Sequence, residues 1–299
     1  MQHYILYQAY GTTDYVNECR YSLLKFLSVY NLNPPSDIGV VIYTDQPAYF
    51  EAFAPFFHEF RLKEISQVQV KEWRGEQDFV HRAKIEMIKD FIGSIEGSLI
   101  YFDTDTYIVK PLYELFDKLD NGSFIMHEYE GVLDKSINPD FYKWERFLES
   151  ASITYNEKPM TFSKELGMWN AGVVGMKGGN YELLNDVLAL TDAVFKQFPK
   201  HIAEQFAFSY CFQKKAKVVD SKEYIIHYWN LKEFRRLLNL FFTKYEEESI
   251  PNLVKLVNHL DARTIQNEKT EFEKLPLVVK LVHSLTGKKW NIRQYEKKL

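Results

Sequence analysis

The sequence Ser98-Leu-Ile-Tyr-Phe-Asp-Thr-Asp-Thr-Tyr-Ile-Val-Lys-Pro111 places two carboxylates, Asp103 and Asp105, directly after an apolar run. The carboxyl end of a strand is where an open α/β sheet presents its ligands. Residues i and i+2 of an extended strand point to the same side, although a turn beginning at Thr104 could re-aim them. The pair therefore predicts a site for one hard divalent cation or, alternatively, a simple strand-ending turn in which Asp is common.

The composition is that of a globular chain with a large core. The chain has 299 residues, of which 46% are hydrophobic and 26% charged, so one catalytic-sized domain with an appendage is expected. No membrane-length apolar stretch occurs, and the first residues lack the features of a signal peptide, so we expect a cytoplasmic protein. Cys19 and Cys211 fit neither a metal spacing nor a disulfide framework and are expected to be buried free thiols.

Charge is distributed unevenly along the chain. Residues 233–299 carry 13 Lys and Arg against 9 Asp and Glu, so this part is +4 and residues 1–232 are −8. Residues 280–299 mix six basic side chains with aliphatic and aromatic ones and contain a single acid, Glu296. Such a segment can bind an anionic membrane surface peripherally, or it can be an ordinary solvated helix packed on the main domain. The acidic bulk of the chain argues against nucleic acid as a partner.

Strand and helix patterns alternate over the first half of the chain. Strands are predicted at His3–Tyr10, Ile38–Thr44, Phe56–Ile65, Leu99–Phe102 and Phe124–His127. Helices are predicted over Tyr15–Tyr30 and over Phe79–Ile92, the latter capped by Asp78. This alternation predicts an α/β fold with a doubly wound, mostly parallel sheet flanked by helices.

The second half of the chain divides into an irregular part and a helical part. Periodicity fades between Glu128 and Met168, which predicts a long irregular insertion that is either functional or mobile. Trp169–Met176 then has the pattern of a strand, ahead of two helices over 181–198 and 201–212. The predicted organisation is a catalytic domain over residues 1–232 and a basic helical extension over 233–299.

Further polar residues could complete a metal site. His227, in Ile225-Ile-His-Tyr-Trp229, is the best-placed third ligand, although a lone His beside Tyr and Trp can equally be an ordinary core or surface residue. Two carboxylates with one imidazole suit Mn²⁺ or Mg²⁺ and leave positions open for diphosphate oxygens. Arg82 and Lys84 precede the metal strand on a helix, where they could face phosphates or form a solvated surface.

Two later motifs could meet a sugar. Asn170-Ala171-Gly172 combines an amide with two small residues, which lets a polar ligand approach the backbone, although small residues also serve tight packing. Glu204 and Gln205 supply a carboxylate and a carboxamide at the start of an apolar helix. Either could orient a sugar, the carboxylate could act as base or nucleophile, or both could simply cap the helix.

The order of these motifs resembles the GT-A glycosyltransferases, most closely the retaining family 8 type that includes glycogenin and bacterial lipopolysaccharide galactosyl- and glucosyltransferases. The resemblance spans roughly residues 3–232. The motifs that carry it are Ala9-Tyr10, Arg82-Ala-Lys84, Tyr101-Phe-Asp-Thr-Asp-Thr-Tyr-Ile-Val109, Trp169-Asn-Ala-Gly-Val-Val-Gly175, Glu204-Gln205 and Ile226-His-Tyr228. It implies a GT-A fold and the metal-dependent transfer of a hexose from a nucleotide-diphosphate sugar, UDP-sugar above all, to a hydroxyl of a glycan or glycolipid acceptor. Retention and a place in surface glycan, lipopolysaccharide or capsule synthesis are implied with it.

The resemblance also implies roles for particular residues. Asp103, Asp105 and His227 would bind Mn²⁺ or Mg²⁺, and Glu204 and Gln205 would line the reacting centre. Donor contacts are implied for Ala9, Tyr10, Asp45, Arg82, Lys84, Thr104, Asn170, Ala171, Gly172 and Lys232. Three departures mark a divergent branch: Glu204 stands where the family has Asp, Lys232 comes one position early after a segment without the family's glycine, and Arg82 lies farther from the Asp-Thr-Asp strand than in the family.

Two other functions stay open from the sequence. An Asp-x-Asp after an apolar strand also resembles the nucleophile loop of haloacid-dehalogenase-type phosphohydrolases, which would use Asp103 and Asp105 directly. In that family the fifth position is normally Thr or Val, whereas here it is Tyr107. The same residues could alternatively belong to a non-catalytic sugar-nucleotide-binding protein.

Overall fold

The computed structural model describes residues 2–133, 139–161, 163 and 165–299. Its strands are β1 (His3–Gln8), β2 (Ile38–Thr44), β3 (Phe60–Glu64), β4 (Ser98–Phe102), β5 (Thr106–Ile108), β6 (Phe124–Met126), β7 (Tyr129–Val132), β8 (Thr154–Tyr155), β9 (Lys158–Pro159), β10 (Gly167–Trp169), β11 (Val173–Lys177), β12 (Val218–Asp220) and β13 (Ile225–His227). Its α-helices are α1 (Thr13–Val29), α2 (Gln67–Trp73), α3 (Arg82–Ile92), α4 (Tyr113–Asp120), α5 (Pro139–Ser150), α6 (Tyr181–Gln197), α7 (Ala203–Lys215), α8 (Phe234–Lys244), α9 (Ile250–Val257), α10 (Ala262–Lys274) and α11 (Leu277–Leu285).

Seven strands form the central sheet, in the order β12-β6-β11-β4-β1-β2-β3. All neighbours run parallel except β11, which is antiparallel to both β4 and β6. The predicted α/β class with a mostly parallel sheet is therefore confirmed. β4 occupies the middle of the sheet, so its carboxyl end, where Asp103 begins, lies at the centre of one edge.

The core lies on both faces of this sheet. Along β1, Ile5 and Tyr7 pack into one hydrophobic cluster and Tyr4 and Leu6 into a second. Helices α1, α8 and α9 cover the first face, whereas α3, α6 and α7 cover the second. Because strands buried on both faces are apolar at every position, the runs over β1, β2 and β4 could be recognised in the sequence.

The extension from residue 233 is helical, as predicted, and its first two helices belong to the core. Apolar side chains of α8 and α9, among them Leu237 and Leu253, share one cluster with Leu23 and Leu27 of α1. No helix within the described ranges is both long and apolar enough to cross a membrane.

Some sequence predictions were wrong. The segment between Glu128 and Met168 contains α5 and short strands, although residues 134–138, 162 and 164 lie outside the described residues. Trp169–Met176 is not one strand, because residues 170–172 form a turn between β10 and β11. Asp78 does not cap α3, which begins at Arg82; it forms an ion pair with Arg74 at 2.9 Å instead. The prediction of buried free thiols at Cys19 and Cys211 is confirmed.

Candidate active site

A turn at the end of β4 positions the two carboxylates of the Asp-Thr-Asp motif. The N–H of Thr106 donates to the carbonyl of Asp103 at 3.1 Å, so the chain bends at Thr104 rather than staying extended. It then enters β5, which pairs antiparallel with β13 and places His227 opposite Thr106. The N–H of Tyr228 donates to the carbonyl of Asp105 at 3.0 Å. This strand pairing brings a histidine more than a hundred residues away to the motif.

Asp103, Asp105 and His227 form a cluster that could hold a metal ion. One potential ligand atom from each residue lies within 4.8 Å of the others, and His227 Nε2 lies 3.2 Å from Asp105 Oδ1. Burial acts to raise the pKa of the Asp105 carboxyl, but His227 and Lys232 outweigh it and hold that pKa well below its usual range. The set of two carboxylates and one imidazole suits Mn²⁺ or Mg²⁺.

The orientation of the His227 ring is fixed by Asn170. The backbone N–H of Gly172 donates to Asn170 Oδ1 at 2.9 Å, and because that group can only donate, it identifies the carbonyl oxygen of the amide. His227 Nδ1 lies 3.0 Å from the same oxygen and must therefore carry the proton. With Nδ1 bonded to Asn170, Nε2 is the ring nitrogen that faces Asp105 and the one that can ligate a metal ion in place of a proton.

Two lysines balance the carboxylates of this cluster. Lys84 is buried, and its Nζ lies 3.2 Å from both Asp103 and Glu204 and 3.0 Å from the carbonyl of Ala171. Burial alone would lower its pKa, but the two carboxylates reverse that effect and raise it. Lys232 contacts Asp105 at 2.9 Å through a side chain that is 56% exposed. The ammonium of Lys84 is thus buried in the protein, whereas that of Lys232 lies at the surface of the site.

The predicted sugar-contacting motifs meet at a residue that the sequence analysis missed. Gln205 Nε2 donates to one oxygen of Glu130 at 2.7 Å, and Asn170 Nδ2 donates to the other at 3.1 Å. Together with Asp103, Asp105, His227 and Glu204, these residues line a cavity of about 360 Å³. Glu130 lies in the segment where periodicity is lost, so no sequence pattern singles it out.

A second cavity of about 210 Å³ adjoins the first and holds part of the predicted donor set. Tyr10, Lys84, Thr104 and Lys232 line it together with residues not predicted from the sequence, among them Tyr15, His81 and Arg235. The structure therefore brings Tyr10, Tyr15 and three cationic side chains to one side of the cluster of Asp103, Asp105 and His227.

Three residues of the predicted donor set lie outside both cavities. Ala9 is buried and donates its N–H to Tyr43. Asp45 accepts the N–H of Gly11 at 3.1 Å, which fixes the turn after β1. The Arg82 guanidinium contacts Asp192 at 2.9 Å and Glu86 at 3.0 Å. Described contacts thus explain these residues as parts of the scaffold.

A buried ion pair ties the helical extension to the site. Glu18 of α1 is 1% exposed and accepts hydrogen bonds from Arg235 of α8 at 2.8 Å and from the Thr104 hydroxyl at 3.1 Å. Burial raises the pKa of the Glu18 carboxyl despite this partner. In the sequence, the only indication of this buried carboxylate is that Glu18 lies beside Val16 and Cys19 in an apolar helix. The predicted boundary at residue 232 therefore falls between two parts of one site.

No family model matches the chain, and no curated protein matches it. Among solved structures, the chain is similar to mouse xyloside xylosyltransferase 1 in its apo form, at 11% identity over 74% of this chain and 85% of that one, with a TM-score of 0.47. It is similar to the galactosyltransferase LgtC in complex with donor and acceptor sugar analogues, at 13% identity over 72% and 73%, with a TM-score of 0.49. It is also similar to the glycosyltransferase GlyE of Streptococcus pneumoniae, at 11% identity over 91% and 64%, with a TM-score of 0.47. These likenesses concern the fold, whereas the chemistry of this chain depends on its own side chains.

Proposed function

We propose that this chain is a metal-dependent glycosyltransferase that moves a hexose, with retention, from a UDP-sugar to a hydroxyl of a glycan or glycolipid. The observation that carries the proposal is the approach of His227 Nε2 to within 3.2 Å of Asp105, with the opposite ring nitrogen bonded to Asn170. A histidine held in this way directs Nε2 towards the two carboxylates, so that the three side chains can ligate one cation. That arrangement suits a hard cation placed against a diphosphate.

The side chains fit the metal that the resemblance implies. Asp103, Asp105 and His227 would hold Mn²⁺ or Mg²⁺, since their ligand atoms converge within 4.8 Å. Bound there, the ion supplies charge neutralisation for the departing nucleoside diphosphate.

The chain's own residues would bind the rest of the nucleotide. Lys232 is exposed enough to turn from Asp105 towards diphosphate oxygens, where its ammonium adds a point charge. Tyr10 and Tyr15 give the adjoining cavity aromatic surface, on which a uracil ring could pack. Arg235 lies over the Tyr15 ring at 4.8 Å and holds it in place.

Glu204 and Gln205 would have different roles near the sugar. Glu204 is 4% exposed and engaged with Lys84, so we assign it the role of holding that lysine beside Asp103. Gln205 lines the cavity, and within the described part of the chain no donor contacts its carboxamide oxygen. That oxygen can stabilise the positive charge that develops at the anomeric carbon. With retention, the acceptor hydroxyl attacks the face from which the diphosphate leaves.

The acceptor would approach from the opposite side of His227. A cavity of about 300 Å³ opens there. It shares Glu130, Asn170, His227 and Trp229 with the cavity of about 360 Å³ described above. The indole of Trp229 is 56% exposed, and an exposed aromatic face beside polar groups is suited to a sugar ring. A surface glycan, lipopolysaccharide or capsule precursor, extended at the cytoplasmic face of the membrane, is the acceptor class that we propose.

The proposal is tested by donor turnover with and without metal. UDP-, GDP- and CMP-sugars are screened by thermal shift with Mn²⁺ or Mg²⁺, and nucleotide release is measured for each donor that raises the Tm. We expect a UDP-sugar to give a metal-dependent shift and release of UDP that Asp105→Asn abolishes. The matched control is Asp117→Asn, an exposed carboxylate on α4.

Three results would contradict the proposal. Absence of a metal-dependent shift with every donor would exclude the metal-bound nucleotide. Donor binding without turnover, even with acceptor mixtures, would indicate a sugar-nucleotide-binding protein. Metal-dependent hydrolysis of a phosphate monoester without UDP release would favour the phosphohydrolase.

A further inference from the structure

Helix α11 carries an apolar stripe whose side chains are largely exposed to solvent. Leu277, Val278, Leu281, Val282 and Leu285 follow the i, i+1, i+4, i+5, i+8 pattern of one helix face and are between 51% and 88% exposed. No residue of this fully described helix is buried. Exposed large apolar side chains are ordinary when scattered, but a contiguous stripe of five marks an interaction surface.

The other apolar residues of the same tail are already used inside the protein. Ile292 and Tyr295 are buried at 7% and 3% exposure, and Trp290 packs against their cluster. The segment 288–299 therefore folds back on the domain, whereas α11 projects its aliphatic side chains to solvent. The apolar surface available to a partner is confined to 277–285, which is narrower than the 280–299 segment expected from the sequence.

The surroundings of the stripe are strongly basic. Residues 274–299 carry seven Lys and Arg and one acid, Glu296, a local charge of +6 in a chain whose total is −4. Lys288, Lys289 and Arg293 are exposed, and none forms an ion pair with a carboxylate in the described part of the chain. These cations are available to an external anion.

We propose that α11 lies in the interface of an anionic membrane, with its aliphatic stripe among the upper acyl chains and the flanking cations on lipid phosphates. A nine-residue helix is about 14 Å long, so it lies in the plane of the interface and does not span the bilayer. A protein partner fits less well, because protein interfaces favour aromatic residues and are poor in lysine. The proposal is independent of the proposed transferase activity, which is measured in solution.

The test is co-sedimentation of the full chain with vesicles of phosphatidylcholine alone or mixed with phosphatidylglycerol. We expect binding to the mixed vesicles, weakening as salt rises. Leu281→Asp and Val278→Asp should each lower the partition coefficient at least about tenfold. Because both side chains are exposed, the Tm should not change. The matched control is Val68→Asp on α2, where the native valine is 68% exposed.

A second pair of variants separates charge from apolar contact. Lys288→Glu combined with Lys289→Glu should remove most binding at low salt, whereas Lys71→Glu, an exposed lysine on α2, should not. Binding that survives both the apolar and the charge variants would overturn the proposal. So would failure to bind mixed vesicles together with a dimer in analytical ultracentrifugation that Leu281→Asp dissociates, because the stripe would then pair two copies of this chain.

Discussion

The imidazole ring of His227 fills the space in which a side chain of residue 172 would begin. A Cβ placed on Gly172 would lie 2.3 Å from both Cε1 and Nδ1 of that ring, far inside any nonbonded contact. The ring cannot move aside freely, because Asn170 and Asp105 hold its two nitrogens. The glycine of the Asn-Ala-Gly turn therefore permits the histidine to face the carboxylates.

Gly172→Ala should displace His227 and weaken the metal site. We expect Mn²⁺ affinity, measured by isothermal titration calorimetry, to fall about 10- to 100-fold, the range found when the support of a ligand is lost. Gly179→Ala is the matched control, because a Cβ at that exposed glycine would meet nothing within 4 Å. Unchanged Mn²⁺ binding in the alanine variant at 172 would show that His227 is not a ligand.

Asn170→Ala should release the His227 tautomer. Without Asn170 Oδ1 as the acceptor for Nδ1–H, the proton can reside on either ring nitrogen. A proton on Nε2 would then prevent that nitrogen from binding the metal. We expect nitrogen NMR of the labelled ring to change from one tautomer to a mixture, and Mn²⁺ affinity to fall about 10-fold or more. Asn185→Ala, on the exposed surface of α6, serves as control. An unchanged tautomer would mean that Asp105 alone orients the ring.

The sheet and the ends of its central strands could be predicted because burial on both faces leaves continuous apolar runs. The same reasoning failed over 169–176, since small residues are common to buried strands and to tight turns. The turn is closed by the bond from the Gly172 N–H to Asn170 Oδ1, and the same oxygen contacts His227, which lies 57 residues away in the sequence. A single sequence does not contain that pairing except through the order of the motifs.

Several hydrogen bonds that support the site could not be predicted from the sequence for a similar reason. Glu130 bonds to Asn170 and Gln205 across 40 and 75 residues, and Glu18 bonds to Arg235 across 217. A carboxylate in an irregular segment or on a helix is ordinary until its partner is known. Residue type and spacing therefore predicted three side chains that the fold brings together, whereas the groups that bond to them could be found only in the structure.

Lys84→Met should destabilise the fold, because the buried carboxylate of Glu204 and the half-buried one of Asp103 would then have no cation between them. Removing one partner of a buried pair costs about 3 kcal/mol or more, which urea denaturation would measure. Lys84→Met combined with Glu204→Gln should recover part of that loss, because one of the two charges is removed as well. Lys71→Met, on the exposed surface of α2, is the matched control. A double variant as unstable as the single one would argue against electrostatic compensation.

Glu18→Gln should weaken the link between α8 and the turn at Thr104, because Glu18 bonds to both. The substitution leaves Arg235 without its carboxylate and weakens the bond to Thr104, and we expect a loss of about 2 kcal/mol in the free energy of unfolding. Arg235 also lines the cavity of about 210 Å³ in which we place the nucleotide, so the KM for the donor should rise as well. Glu182→Gln, an exposed acid in the first turn of α6, controls for charge. Loss of stability with an unchanged donor KM would limit the ion pair to a structural role.

Trp229→Ala separates the acceptor from the donor. The indole is exposed between two cavities and makes no described bond to the metal cluster. Loss of an aromatic platform for a sugar should raise the acceptor KM about three- to tenfold, while UDP release by donor hydrolysis and the Tm stay as in the wild type. Tyr113→Ala on α4, where the native ring is 52% exposed, provides a control for removing a surface aromatic. Donor hydrolysis that falls together with transfer would place Trp229 on the donor side, and the proposed division of the cleft at His227 would then be wrong.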